Sequence, residues 1–423
     1  MKQKNIPTGC QKFNVQTQIG FFSYRSDPFS GGQGIYLKNV TEALLERGHQ
    51  ITIYSGRPLP DVSDDIDLVP IETPGYFESF DFNQRFKNFL KQPKTSMEIL
   101  DFFETCTGTF TEPIFFGDRL LKNDHFIKHQ DSFDIFHDNQ SLSNYSKIIN
   151  NRLVTTLHHP IHVDRDIDLE NEPGFLRRFA IKRWYSFLNF QKKNVKNIKA
   201  IVSPSESSKR DIVKFFDCSE SKIKVIWNGV DIATSEQNNQ KEFKNHFVTI
   251  VSADVPMKNL ENILKAIAIA KKELPNIKLT VIGDMREDNK DLINNLNIES
   301  NIDYKEKLSR AELLSCLNEA DIGISASLYE GFGFPLVEMI SSELPVIVAN
   351  KGSLPELAGN AGIIFDAERA SSLAEKMIEL ASNHDLRNEL KDQSKLRRGD
   401  FFGWDEYAIK LESLYQEIIH GNF

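Results

Sequence analysis

Apolar and polar positions divide the chain into two series in which short apolar runs alternate with amphipathic stretches. In the first series VQTQIGFFSY (15–24) predicts a strand. SDPFSGGQG (26–34) is its turn, IYLKNVTEALLERG (35–48) an amphipathic helix ended by Gly48, and HQITIYSG (49–56) a second strand. Residues 75–133 are less regular and rich in phenylalanine. Phe82, Phe86 and Phe89 recur at helical spacing, which reads most simply as core packing, with an apolar groove as the alternative. DIFHDNQSL (134–142) and LVTTL (153–157) are strands running into polar loops. AIVSPSESSKRDIVKFF (200–216) gives strand, serine-rich capping turn and helix, and KVIWNGVDI (224–232) a last strand with its exit. The polar run 233–245 is a linker. A second series opens with strand, loop, helix and strand over 246–284. It continues through the buried strand ADIGI (320–324) and closes on the amphipathic helix 404–419. Three segments are expected: 1–232, 246–400, and a closing helix 401–423.

The stretch SASLYEGFGFPLVEM (325–339) carries the clearest chemistry. Glycines at a strand-to-helix turn let backbone N–H groups approach a ligand, and a helix N-terminus favours an anion. Pro335 suits the first helical position. The seat is flanked by Glu330 and Glu338, eight residues apart. Carboxylates beside a phosphate seat are poor anion ligands but good partners for hydroxyls, as on a sugar; an ordinary turn with solvated glutamates is the plain alternative.

Other candidates are weaker. A dinucleotide fold needs G-x-G-x-x-G and an acidic residue ending the second strand. Here the turn is Gly31-Gly32-x-Gly34 and the strand ends Tyr54-Ser55-Gly56. His158, His159 and His162 lack a thiol or carboxylate at zinc spacing, and Pro160 prevents a helical H-x-x-x-H face. The D-x-D triplets at 65–67 and 164–166 follow no clear strand and read as solvated charge. The stretch 175–199 has several basic residues, interleaved aromatics and no acidic residue. It reads as a helix packed on the domain or as a surface touching anionic lipid.

Composition narrows the classes. With 40% hydrophobic and 26% charged residues the chain is an ordinary globular protein, and a net charge of -9 disfavours nucleic acid. Its four cysteines are scattered, which suits a reducing cytoplasm, and no apolar run reaches a membrane span. Residues 1–15 read as a loose tail.

Glu330 and Glu338 reproduce the E-x7-E motif of the retaining glycosyltransferases of family 4. The EGFG-P-x-x-E string and LPVIVANKGSLPELAGNAGIIF (344–365) resemble that family as well. The resemblance extends over about 18–419. It implies an α/β protein of GT-B type: two Rossmann-like domains facing a cleft, with the final helix crossing back to the first. The implied activity is transfer of a sugar from a nucleotide-diphosphate sugar to an acceptor, whether glycan, lipid or small molecule, with no cofactor and no metal. Glu330 would then hold sugar hydroxyls and Glu338 the ribose. Lys258 and the amides near Gly331, Phe332, Gly333 and Phe334 would hold the diphosphate. His158, with His159 as second choice, would face the sugar and β-phosphate, and Gly31 and Gly32 would close the other side. The chain departs from the family at Ala253, where a phosphate-binding arginine is usual, and at Glu306 and Glu343, where glycines are usual. A nucleotide-sugar binder with weak transfer, an epimerase and a phosphorylase are the competing readings.

Overall fold

The computed structural model describes residues 16–27, 32–145, 149–231, 242–251 and 254–423. Gly31, Ala253, residues 1–15 and most of the expected linker lie outside them.

The apolar runs form two parallel sheets. β1 (Gln18–Ser23), β2 (Gln50–Ser55), β3 (Asp67–Pro70), β4 (Ile135–Asn139), β5 (Leu153–Thr156), β6 (Ala200–Ser203) and β7 (Ile223–Val225) make the first, in the order β3-β2-β1-β4-β5-β6-β7. β8 (His246–Val251), β9 (Lys278–Gly283), β10 (Ile302–Lys305), β11 (Ile322–Ser325), β12 (Val346–Ala349) and β13 (Gly362–Phe365) make the second, in the order β10-β9-β8-β11-β12-β13. The central strands are buried on both faces, as near-continuous Val, Ile and Phe runs require. Strand order reverses at β1/β4 and at β8/β11. In an open α/β sheet the ligand crevice lies outside the carboxyl ends of the strands at such a reversal, so the loops after these four strands are where a site is expected.

Helix Gly32–Glu46 covers one face of the first sheet, and helix Trp404–Ile419 returns from the second half to pack on it. The returning helix buries Tyr407, Leu411, Leu414, Tyr415 and Ile418, each contributing about 1.5–3 kcal/mol. Its Glu412 accepts from Arg47 Nε (2.5 Å) and Nη2 (2.8 Å) and bonds His49 Nε2 (2.8 Å). Glu343 ends helix Phe334–Ser341 at φ 60°, a left-handed position that costs a non-glycine residue about 1 kcal/mol.

Two expectations change. Helix Phe82–Lys91 forms, but none of its residues is buried. Phe82 and Phe86 are 59% and 43% exposed and pack against each other and Phe102 rather than into a core. The basic stretch 175–199 is two helices, Phe175–Trp184 and Phe187–Val195. The first buries nothing, whereas the second buries Phe187, Leu188 and Val195.

Candidate functional site

The loops after β8 and β11 bring Lys258 and Glu330 together at the second sheet's reversal. Lys258 Nζ lies 2.6 Å from Glu330 Oε1, which also accepts from Ser327 Oγ at 2.9 Å. Lys258 ends a short turn fixed by Asn259, whose side-chain amide donates to the carbonyls of Ala326 (3.1 Å) and Ala367 (2.9 Å). Asn259 sits at φ 58°, which asparagine tolerates better than most residues.

The Gly331–Gly333 turn is clamped from below. Ser353 Oγ donates to the carbonyls of Glu330 (3.0 Å) and Phe332 (2.5 Å), and Ser353 N donates to Glu330 O (3.1 Å). Gly333 caps helix Phe334–Ser341 at φ 101°, so Phe334 takes the first helical position and Pro335 the second, one later than expected. Glu338 pairs with Arg310, whose Nη2 also donates to Asp231 O at 2.9 Å. Burial raises the Glu338 carboxyl above its ordinary range; Arg310 opposes this and Asp231 adds to it.

The first sheet faces this turn directly. A Cβ on Gly331 would lie 1.9 Å from His158 O, and Gly331 O accepts from Ser205 Oγ (2.6 Å) and Ser208 Oγ (3.1 Å). His158 follows β5. Its Nε2 bonds Asn139 Oδ1 (2.8 Å), while Asn139 Nδ2 donates to Ser23 Oγ and Gln33 O. With the amide oriented that way, Nε2 carries the imidazole proton. Burial, and then the charge of His159, lower the His158 pKa to about 3, so the ring is neutral. Gln140 brackets both histidines by accepting from His158 N (2.7 Å) and donating to His159 O (2.9 Å). It does so from φ 57°, with Leu142 at φ 50° close behind, and such strained backbone concentrates at functional sites. A Cβ on Gly32 would lie 4.0 Å from the Phe334 ring.

Asp164 corrects the reading of its triplet as solvated charge. It lies on helix His162–Asn171 and holds His159 Nε2 at 2.9 Å. Burial alone would lower the His159 pKa. Asp164, with help from Glu330, raises it instead. Among the described residues no group of three His, Cys, Asp or Glu is arranged to hold a metal ion.

Several partners at this edge were not foreseen. Arg310 reaches Glu338 across 28 positions, while Ser327 and Gln140 lie in the named stretches 325–339 and 134–142 without a motif that marks them. Arg25, at the exit of β1, donates to Glu112 Oε1 at 3.0 Å, and Glu112 Oε2 is buried with no hydrogen-bond partner among the described residues. Burial raises the Glu112 pKa to about 7 against the influence of Arg25.

The family described as Glycosyl transferases group 1 matches residues 231–397, and Glycosyltransferase Family 4 matches residues 108–234. Similar structures include a sucrose-phosphate synthase from Thermosynechococcus elongatus, with a TM-score of 0.70 at 15% identity over 96% of this chain and 100% of that one. Another is WaaG, a glycosyltransferase involved in lipopolysaccharide biosynthesis, with a TM-score of 0.65 at 16% identity over 93% and 99%. These two establish the shared fold. The chain is a glycosyltransferase of GT-B fold and belongs to glycosyltransferase family 4. Among curated relatives it is 29% identical to an MMP alpha-(1->4)-mannosyltransferase of Mycolicibacterium hassiacum, over 95% of this chain and 98% of the relative. It is 27% identical to the O-antigen chain mannosyltransferase RfbU of Salmonella typhimurium, over 55% and 66%.

Proposed function

We propose that the chain transfers a hexosyl group, with mannosyl the first choice, from a nucleotide-diphosphate sugar to an acceptor hydroxyl. Anomeric configuration is retained and no metal ion takes part. The observation that carries this reading is the Lys258–Glu330 pair at the second sheet's reversal, beside a helix N-terminus and opposite His158. An ammonium has three donors, so Lys258 can keep Glu330 and still take a phosphate oxygen. With the amides at the start of helix Phe334–Ser341 it would stabilise the leaving diphosphate by fixed charge and dipoles. Glu338 would accept from the ribose, with Arg310 opposing the effect of burial on its carboxyl. Glu330 would hold sugar hydroxyls. His158 is neutral with Nε2–H committed to Asn139, which leaves Nδ1 as an acceptor. It therefore suits a sugar hydroxyl better than a phosphate. The unpartnered oxygen of Glu112 supports acceptor binding at the exit of β1. The preference for mannose rests on the named activities of the relatives.

A second reading, a nucleotide-sugar binder with little transfer, rests on Ala253 standing where the family's arginine is usual. One experiment separates them. GDP-mannose, UDP-glucose and other nucleotide sugars are screened by thermal shift. The best donor is then incubated with alkyl mannosides, with and without EDTA, and the product is read by NMR. The proposal expects consumption of one donor, a product with the donor's anomeric configuration, and no loss in EDTA. An inverted product or loss of activity in EDTA contradicts the mechanism, and binding without consumption favours the binder.

A further inference from the structure

Two helices on the first half share an unusual character. Phe82–Lys91 and Phe175–Trp184 contain no buried residue, and their sequences FNQRFKNFLK and FLRRFAIKRW hold seven cations and no carboxylate. This occurs in a chain whose net charge is -9. Arg85 from the first helix and Phe179, Arg183 and Trp184 from the second line one apolar groove of about 530 Å³, so the helices border the same face. Large apolar side chains stand out around it: Phe80 is 75% exposed, Phe175 82%, Leu176 80% and Phe179 66%. Carboxylates that reach this face are engaged: Glu104 with Arg183, Glu172 with Arg177 and Asp168 with Tyr185. Lys87, Lys91, Arg177 and Lys182 are exposed.

We propose that this two-helix face docks on an anionic lipid bilayer. Aromatic and aliphatic side chains would enter the headgroup boundary, and the flanking cations would meet anionic headgroups. Charge complementarity decides between occupants: with Arg177 and Arg183 paired to Glu172 and Glu104, the face still carries an excess of cations, so a second copy of this chain would set like charge against like, whereas an anionic surface neutralises them. The face adjoins the proposed site. Trp184 stacks on Phe110 at 5.2 Å, and Phe110 packs on Tyr24, at the exit of β1, at 6.1 Å. Docking would bring the crevice rim to the lipid surface. The claim stands apart from the proposed transfer, because it is tested without donor or turnover.

The full chain is sedimented with vesicles of phosphatidylcholine alone and of phosphatidylcholine with phosphatidylglycerol, at low and high salt. Binding to the anionic vesicles is expected to be at least about tenfold tighter than to the neutral ones and to be released by salt. The double variants Phe175→Ser/Leu176→Ser and Arg177→Gln/Lys182→Gln should each weaken it about tenfold or more, with unchanged melting temperatures, since all four side chains are exposed. Protein left in the supernatant with anionic vesicles at low salt overturns the proposal. So does equal binding to both vesicle types, or binding that both variants retain in full. A dimer that the variants convert to monomer, with no vesicle binding, would assign the face to a second copy and overturn the proposal as well.

Discussion

Glycine at position 331 is required by its neighbour rather than by its own backbone angle. It does not adopt a left-handed φ, but a Cβ there would strike the carbonyl of His158 in the facing half. Gly331→Ala is expected to cost about 1–3 kcal/mol of stability by overpacking and to lower turnover by more than about tenfold through separation of the two loops. Denaturant titration beside steady-state kinetics checks both, and a variant with full turnover would show that the contact is dispensable. The histidines carry a pH signature. His159 is raised above its ordinary 6.5, so its pairing with Asp164 contributes stability that is fully present below that value and lost as pH rises through the folded pKa. His158 and His137 are held to about 3, so the unfolded chain binds more protons than the folded one between about 3 and 6.5, and stability falls with acidification across that window. Asp164→Asn should remove stability below about pH 6.5 and matter progressively less above it, as read from denaturation midpoints across pH. Glu112→Gln should raise the acceptor KM and leave nucleotide affinity unchanged; an altered nucleotide affinity would place Glu112 elsewhere.

At the scale of elements, the alternation of apolar strands and amphipathic helices was legible because parallel strands buried on both faces leave continuous apolar runs. Glu330 and Glu338 were legible because they lie in one local string, and Lys258 because the family resemblance extends to its own segment, 72 positions earlier. Arg310 was not, since it meets Glu338 across 28 positions and opens a helix marked only by its Ser309–Glu312 capping box. The spacing predicts the helix Phe82–Lys91 but not its exposure: helical periodicity shows which side chains share a face, and says nothing of what covers that face. The closing helix makes its own prediction. Glu412 lies between Arg47 and His49, and hydrogen bonds from both hold its carboxyl below the ordinary range despite the opposing effect of burial. Removing one partner of a buried pair leaves an uncompensated charge, so Glu412→Ala should cost about 3–5 kcal/mol. A loss below about 1 kcal/mol in urea unfolding would show that apolar packing alone seats this helix.

In the whole molecule, the two sheets meet through a few polar contacts beside the site. Glu356 from the second half accepts from Glu206 N and Ser207 N at 3.0 Å each, and from Trp227 Nε1 at 3.1 Å. It thereby caps helix Glu206–Phe216 of the first half, much as Ser205 and Ser208 hold Gly331. Glu356→Ala should loosen this contact and enlarge the radius of gyration in small-angle scattering; an unchanged radius would mean that the closing helix and the Ser205 and Ser208 contacts to Gly331 fix the arrangement without it. In the proposed reaction sugar transfer occurs between Glu330 and His158, with Glu338 and Lys258 holding the nucleotide. The most direct test is Glu330→Gln, assayed for turnover with the best donor and for affinity toward the free nucleoside diphosphate. Turnover is expected to fall at least about 100-fold with nucleotide affinity nearly unchanged. Turnover within about threefold of the parent would contradict it.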